Sequence, residues 1–320
     1  GDRILQKGLS FREGYLNLSG TKRHCMLRID PSQISTKDLH QYLVSAVAPR
    51  PIAFASTISE AGRPNLAPFS FFNVFSSNPP ILVFSANRRV SNNTTKDTLR
   101  NIQETGEVVV NVVSHAIVRQ MAVASIEFDE NVNEFDKSGL TPLASELIRP
   151  FRVAESPVHM ECKVSQILPL GEKGGAGNLF ICDIQLIHIH EGVLNEKGRI
   201  DPHKIDLMGR MGRMYYVRAS GAAVEEIVQD MSVTGIGFDG LPEALRYSKV
   251  FTGNHLGMLA GMPALPSAES ALELAASDAR VQSALASSNA RAALAEYAME
   301  VLDKNQLELG AKLAVMSVSV

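Results

Sequence analysis

Three short apolar runs separated by turn-forming residues organise residues 49–98. In the first run, residues 52–58 (IAFASTI), alternate side chains point to opposite faces, as they do in a strand. Residues 65–75 (NLAPFSFFNVF) are predicted to form a second strand that is broken by Pro68, and residues 81–86 (ILVFSA) a third. Because proline inside a strand fits only an edge or a bulge, we expect Pro68 at such a position, next to a site.

Further apolar runs extend this pattern to residue 218. Residues 107–113, 158–170 and 178–194 are predicted strands, and the last two are joined by the glycine-rich loop GEKGGAGN. The pattern predicts about six or seven strands, joined by turns as often as by helices. This organisation favours an antiparallel barrel over a doubly wound parallel sheet.

Helical periodicity predicts short helices at residues 36–47, 97–105 and 115–125. Gly106 is expected to end the second helix in a left-handed conformation. The N-cap candidates are Ser35 or Thr36 for the first helix and Thr94 or Thr95 for the second.

The last third of the chain changes character. Residues 224–231 (VEEIVQDM), 267–287 and 289–316 are rich in Ala, Leu and Glu at helical spacing, and no catalytic-looking cluster accompanies them. We therefore predict three parts. These are an N-terminal arm (1–30), a barrel domain (31–218) and a helical C-terminal extension (219–320).

Composition narrows the class of protein. Hydrophobic residues are 45% of the chain, charged residues 20%, and the net charge is −3. That balance is ordinary for a globular protein and gives no basic surface for nucleic acid or anionic lipid. No apolar run is long enough to span a bilayer, and the charged start is unlike a secretory signal. Three scattered cysteines, without a CxxC pair, fit a reducing cytoplasm.

A cluster of hydroxyl groups and cations precedes the second helix. Arg88 and Arg89 are followed by the sequence SNNTTKDT, which supplies hydroxyls and Lys96 just before a helix start. A phosphate group prefers hydroxyl donors, a cation and the free N–H groups of a helix N-terminus. The alternative is a capped helix with solvated charges, and composition alone does not decide between the two.

The NLAPFS segment suits a planar ring. Pro68 frees neighbouring backbone groups from strand pairing, so that Ala67, Ser70 and Phe71 can form an apolar slot with a few polar groups. The alternative is an aromatic core. Arg50, held between two prolines, is either a ligand contact or a surface charge.

Two other patterns carry weaker signals. GEKGGAGN is followed by a strand-like run instead of a helix, which argues against a dinucleotide-binding loop. His188 and His190 share one strand face, a spacing that permits a metal, but no third ligand is near in sequence. Surface or cross-strand histidines are the expected interpretation.

Together, the ordered segments of residues 30–218 resemble the flavin reductase-like, FMN-binding split-barrel family. The nearest branch is similar to the flavin reductase component of nitrilotriacetate-type monooxygenases, and flavoredoxin is more distant. The segments are PRPIAFAST (49–57), NLAPFSFFNVFSSNPP (65–80), TKDT (95–98), TGEVVVNVV (105–113), NEF with GL (133–140), ESPVHMECKV (155–164) and RMGRMYY (210–216).

The resemblance implies a split β-barrel, usually a homodimer, that binds FMN near the subunit interface. The phosphate end would be served by Ser91, Lys96, Asp97 and Thr98. The ring and ribityl chain would be lined by Arg50, Pro51, Ser56, Thr57, Asn65, Leu66, Ala67, Pro68, Ser70 and Phe71. The resemblance assigns no ligand contact to either arginine of RMGRMYY.

The resemblance also implies an activity. The leading hypothesis is an NAD(P)H-dependent flavin reductase, in which NADH or NADPH passes hydride to N5 of FMN and no side-chain acid or base is required. A partner monooxygenase or electron-transfer protein would receive the electrons. The alternatives are a flavoredoxin-like carrier with tightly held FMN, and a non-catalytic flavin-binding module whose helical extension recruits a partner.

Overall fold

A computed structural model describes residues 26–129, 132–228 and 232–320. Most of the predicted N-terminal arm, with Cys25, lies outside the described residues. The chain divides into two compact units, one ending at Glu225 and the other comprising Glu226–Val320. The three-part functional division stays a prediction.

The first unit is built on an antiparallel sheet. Among the described residues, seven strands join in the order β2-β1-β5-β8-β9-β4-β3, and two-stranded sheets are formed by β6 with β7 and by β10 with β11. The strands are β1 Ala53–Ile58, β2 Pro64–Phe69, β3 Phe72–Ser77, β4 Pro80–Ser85, β5 Glu107–Val112, β6 Pro142–Leu143, β7 Arg152–Val153, β8 Val158–Pro169, β9 Asn178–Ile189, β10 Leu207–Arg210 and β11 Tyr216–Ala219.

Eleven α-helices occur in the described parts of the chain. They are α1 Thr36–Ala46, α2 Asp97–Thr105, α3 Val118–Val123, α4 Glu134–Ser138, α5 Gly237–Gly240, α6 Glu243–Arg246, α7 Gly253–Ala260, α8 Ala268–Ser277, α9 Ala279–Leu285, α10 Ala290–Leu302 and α11 Leu307–Ser319. No helix among the described residues is long and apolar enough to cross a membrane.

The two edges of the large sheet are consecutive in the chain. Strand β2 forms one edge and β3 the other, and only Ser70 and Phe71 link them. Two linking residues span at most about 10 Å, so the sheet must curl until its edges nearly meet. The backbone N–H of Ser85 donates to the Phe71 carbonyl at 2.9 Å and fixes this link. The predicted antiparallel barrel is therefore confirmed.

The single broken strand predicted for residues 65–75 was wrong. The structure divides it into two strands on opposite edges, and the division falls at Ser70–Phe71 instead of Pro68. Pro68 lies inside β2, opposite Phe54 of β1. An edge strand has one unpaired side, so it tolerates a residue without an N–H group.

The barrel interior is aromatic and aliphatic. The ring of Phe84 lies 5.4 Å from that of Phe69 and 4.8 Å from that of Phe180, centroid to centroid. Leu99 and Ile102 of α2 pack into the same cluster. On β1, Ala53 and Ala55 belong to this interior, whereas Phe54 packs with α3 and α4 on the other side. The alternation predicted for β1 is confirmed, and both of its faces are buried.

The helix caps were predicted in part. Ser35 caps α1, since its side chain accepts from the Asp38 N–H, and Gly106 ends α2 with φ of +67°. The prediction of Thr94 or Thr95 as the N-cap of α2 was wrong. Lys96 occupies that position, and no side chain caps the helix. The Thr94 hydroxyl is instead engaged with Asn92 at 2.8 Å.

The second unit is helical and has its own core, which includes Leu245, Leu259 and Leu294. The helices predicted within residues 267–316 are confirmed as α8 to α11. The helix predicted for residues 224–231 was wrong over its described part, which is not helical. Ile227 is 83% exposed there. A short helix is marginal without an apolar face to bury.

Candidate functional site

The candidate site is a cavity of about 480 Å³ at the point where the barrel edges meet. Its wall is built by α1, the chain before β1, the β2–β3 link, the end of β4, the N-cap of α2 and the β10–β11 hairpin. The volume falls within the usual range for small-molecule sites. The topology that closes the barrel therefore also forms the pocket.

Lys96 supplies the cation at one end of the cavity. It precedes α2, and its Nζ lies 5.4 Å from the centre of the Phe69 ring. The pKa of Lys96 is lowered, chiefly because burial penalises the ammonium and secondly because Arg89 is nearby. The first N–H groups of α2 have no side-chain cap. An anion at this place would meet a helix N-terminus and a partly desolvated cation.

The two arginines upstream of Lys96 hold the loop together. Arg89 donates to the Thr94 hydroxyl and the Thr95 carbonyl, both at 2.8 Å, and pairs with Glu127 at 2.5 Å. This guanidinium lowers the pKa of Glu127. Arg88 donates to the side chain and carbonyl of Asn93. The loop that delivers Lys96 is thus fixed by its own side chains.

The predicted residues Thr57, Asn65 and Thr98 come together in a buried network. The Asn65 amide donates to the Thr57 hydroxyl at 3.0 Å and to the Thr98 hydroxyl at 3.1 Å. Asn101 also donates to Thr57, at 3.1 Å. These bonds connect β1, β2 and α2, so the network positions the helix that carries Lys96. The Ser56 hydroxyl is buried nearby in sequence without a hydrogen-bond partner.

Arg50 braces the middle of the cavity wall. Its guanidinium donates to the carbonyls of Val44 and Val47 at the end of α1 and to that of Met211. Its Nε donates to the Ser70 hydroxyl at 3.4 Å. The pKa of Arg50 is lowered, first by burial and then by the charge of Arg210. Arg50 therefore joins three segments of the wall.

The structure distributes the other predicted residues unevenly. Pro68, Ser70 and Phe71 line the cavity together with Arg50 and Lys96. The remaining positions do not line it. Leu66 and Ala67 are buried in the core, Pro51 and Ser91 are exposed, and Asp97 pairs with Arg100 at 3.0 Å.

Sequence reasoning missed part of the wall. His40 and Gln41 of α1, Asn87, and the hairpin residues Arg210 and Arg213 also line the cavity. The family segment RMGRMYY contains Arg210 and Arg213, but the resemblance did not assign either of them a ligand contact. The Lys and Arg side chains of the lining are Arg50, Lys96, Arg210 and Arg213. No described Asp or Glu lines the cavity. A phosphate-bearing ring compound fits this charge and this aromatic, partly polar wall.

The glycine-rich hairpin between β8 and β9 supports the site from outside. Ala176 and Gly175 exchange backbone hydrogen bonds with Arg88 at 2.8 and 3.0 Å. A Cβ on Gly177 would lie 2.6 Å from the Ser85 hydroxyl, which lines the cavity. The glycines thus permit close packing against the wall, and a strand follows them, as expected.

The paired histidines of β9 have separate structural partners. The His188 ring bonds to Glu161 at 2.8 Å, and the His190 ring accepts from the Gly192 N–H at 3.0 Å. Among the described residues, no group of three potential ligands could hold a metal ion. Glu161 is fully buried and also accepts from two backbone N–H groups, which lowers its pKa against the opposing effect of burial.

The antiparallel barrel and the cationic, partly aromatic cavity at its closure agree with the split-barrel class of flavin proteins that the sequence resembles. Residues 45–217, more than half of the 320 residues, match the flavin reductase like domain. The chain therefore belongs to the flavin reductase-like family. The resemblance stated from the sequence is confirmed.

Relatives of known sequence support this membership. An uncharacterised protein of Aquifex aeolicus is 39% identical over 183 residues, which are 57% of this chain and 91% of that protein. The match thus leaves a large part of this chain without a counterpart in that relative.

Solved structures share the fold. Nitrilotriacetate monooxygenase component B from Bacillus cereus is 31% identical with a TM-score of 0.59, covering 65% of this chain and 100% of that chain. The 2-nitrobenzoate 2-nitroreductase of Pseudomonas fluorescens is 26% identical with a TM-score of 0.56, covering 68% and 99%. A flavin reductase-type protein with a split barrel domain from Shewanella frigidimarina, 22% identical with a TM-score of 0.52, covers 62% and 96% and supports the fold alone.

Proposed function

We propose that this chain binds FMN in the cavity at the barrel closure and is an NAD(P)H-dependent flavin reductase. The observation that carries the proposal is the lining itself. Lys96 stands at the start of α2, and no carboxylate is present among the described lining residues. In a flavin reductase-like protein, such a cavity suits the phosphate and the ring of FMN.

Residues at the two ends of the cavity would divide the work of binding. Lys96 and the N-terminus of α2 would bind the phosphate, with Ser91, Asp97 and Thr98 in supporting positions. Pro68, Ser70 and Phe71 would contact the ring, and Arg50 would hold that wall in place. The roles predicted for Pro51, Ser56, Thr57, Asn65, Leu66 and Ala67 are proposed as support from the strands behind this wall.

The protein's contribution to catalysis would be binding and orientation. When bound, FMN supplies the hydride-accepting N5 atom. The side chains of the cavity would hold the ring against the β2–β3 link and would exclude water from one of its faces. We assign no catalytic acid or base.

The acceptor of the electrons is proposed from the family branch. The Bacillus cereus relative is a component of a monooxygenase, and this chain is proposed to serve a partner oxygenase or electron-transfer protein in the cytoplasm. We also propose a homodimer.

The experiment is a titration of the purified protein with FMN, followed by flavin fluorescence, and then by assays with NADH and NADPH. We expect saturable quenching of flavin fluorescence. We also expect FMN-dependent oxidation of at least one nicotinamide when free FMN is the only electron acceptor supplied. Absence of both would overturn the proposal. Tight FMN binding without turnover would support the electron carrier instead.

A further inference from the structure

The cavity carries more positive charge than one phosphate requires. A phosphate monoester brings about −1.5 to −2 charges at neutral pH. Lys96 and the start of α2 already provide a cation and a helix N-terminus for it. Arg50, Arg210 and Arg213 add three guanidinium groups to the same lining. The charge balance therefore leaves room for a second anion.

Lys96 and Arg50 lie against different aromatic rings of the wall. Lys96 lies over the ring of Phe69, whereas the Arg50 guanidinium lies 5.9 Å from the centre of the Phe71 ring. Arg50 in turn bonds to the Met211 carbonyl at 3.1 Å and exchanges backbone hydrogen bonds with Arg210. The β10–β11 hairpin thus joins the cavity at the Phe71 side of the β2–β3 link.

The hairpin turn fixes the backbone of one arginine. Arg213 has φ of +55°, a left-handed conformation that is uncommon for a residue with a side chain. The N–H of Met211 bonds to the Tyr215 carbonyl at 2.9 Å. A Cβ on Gly212 would lie 2.2 Å from the Ser45 hydroxyl, so the turn packs tightly on α1. Strained backbone of this kind is concentrated at ligand sites.

The side chain at this strained position is exposed. Among the described residues, nothing forms a hydrogen bond or an ion pair with the Arg213 guanidinium. Its neighbour Arg210 stacks on Tyr216, with the guanidinium carbon 4.6 Å from the ring centre. One guanidinium is thus held and the other is available to a ligand.

We propose that Arg213, assisted by Arg210, forms a second anion subsite that binds a phosphate group of the nicotinamide dinucleotide. This inference rests on the proposed function, because the hydride donor is the second phosphate-bearing ligand of that reaction. The planar fork of arginine matches two phosphate oxygens at once. The group bound is either the 2′-phosphate of NADPH or the pyrophosphate that NADH and NADPH share.

The test measures binding of donor fragments by calorimetry, with and without saturating FMN. The probes are ADP-ribose and 2′-phospho-ADP-ribose, which lack the reactive nicotinamide. The variants are Arg213→Ala, Arg213→Lys and Lys96→Ala. Arg119→Ala is the control, because it removes an exposed arginine that does not line the cavity. Alanine has a Cβ, as arginine does, so the substitution does not relieve the strain of the left-handed backbone at position 213.

We expect the fragments to bind alongside FMN, and Arg213→Ala to weaken them about tenfold, as for a lost charge-assisted hydrogen bond. Arg213→Lys should recover part of that loss, and Arg119→Ala should have no effect. Loss of 2′-phospho-ADP-ribose alone identifies the 2′-phosphate, and loss of both fragments identifies the pyrophosphate.

Equal binding by wild type and Arg213→Ala would overturn the inference, as would displacement of the fragments by FMN. These outcomes leave FMN binding itself intact. Failure of the proposed function gives a different result, namely no binding of FMN. The titrations without FMN would then still report whether Arg213 binds phosphate.

Discussion

At the scale of single residues, Lys96 is the position on which we propose that flavin binding depends most. It combines a cavity-facing ammonium, a helix N-terminus and partial burial. Its place among hydroxyls before a helix start suggested a phosphate site, and only the family resemblance favoured that site over a capped helix. The roles of the hydroxyls around it were harder to predict. Arg89 donates a hydrogen bond to the Thr94 hydroxyl and also bonds to Glu127, which lies 38 residues further along the chain. A partner that far away in the sequence cannot be recognised from the residues around Lys96.

Lys96→Ala should weaken FMN binding by about 10- to 100-fold, since a hydrogen bond to a charged group contributes about 1.5–3 kcal/mol. Fluorescence titration measures the change. Lys197→Ala, which removes an exposed lysine that does not line the cavity, is the matched control. Equal affinities of wild type and Lys96→Ala would remove this lysine from the phosphate site.

FMN affinity should also depend on alkaline pH through Lys96. Burial lowers its pKa, so the free protein loses this proton at a lower pH than an ordinary lysine, whose pKa is about 10.4. Bound phosphate favours the charged form, and affinity should therefore be level below the pKa of the free protein and fall as pH rises through it. Titrations across this range test the sign. The fall should be absent in Lys96→Ala, and a variant that kept it would refute the assignment.

At the scale of elements, the strands were predictable because alternation and turn residues are local signals. Their assembly was not. Residues 65–75 belong to opposite edges of the sheet, and that division depends on pairing of β2 with β1 and of β3 with β4. Likewise, the glycine-rich hairpin was predictable from the sequence, but its packing against Ser85 and Arg88 was not.

Gly177→Ala should disturb the cavity from outside. The new Cβ would lie 2.6 Å from the Ser85 hydroxyl and 3.4 Å from the Asn87 side chain, both of which line the site. We expect FMN affinity to fall about threefold to tenfold while the barrel stays folded, as measured by titration and circular dichroism. Gly257→Ala, which adds a Cβ into open space in α7, should leave the affinity unchanged. Normal binding by Gly177→Ala would show that the hairpin does not position the wall.

At the scale of the whole molecule, the helical unit is the least explained part of the chain. The Bacillus cereus structure is matched over its full length by 65% of this chain, so the remaining third has no counterpart there. Ala- and Leu-rich periodicity predicted that this region is helical. A sequence of that kind carries no information about a ligand.

A protein comprising residues 1–225 should therefore fold and bind FMN with unchanged affinity. The barrel unit contains its own core and the whole lining of the cavity. Fluorescence titration against the full chain, with thermal unfolding as a check on folding, makes the comparison. A folded barrel that had lost FMN would assign the helical unit a part in flavin binding.

We propose above all that flavin held in this cavity accepts hydride from a nicotinamide. The most direct measurement mixes FMN-saturated protein anaerobically with NADH, and separately with NADPH, and follows the visible absorbance of the oxidised flavin. We expect at least one donor to bleach this absorbance much faster than it bleaches that of free FMN at the same concentration. Absorbance that decays no faster than that of free FMN with either donor would contradict it.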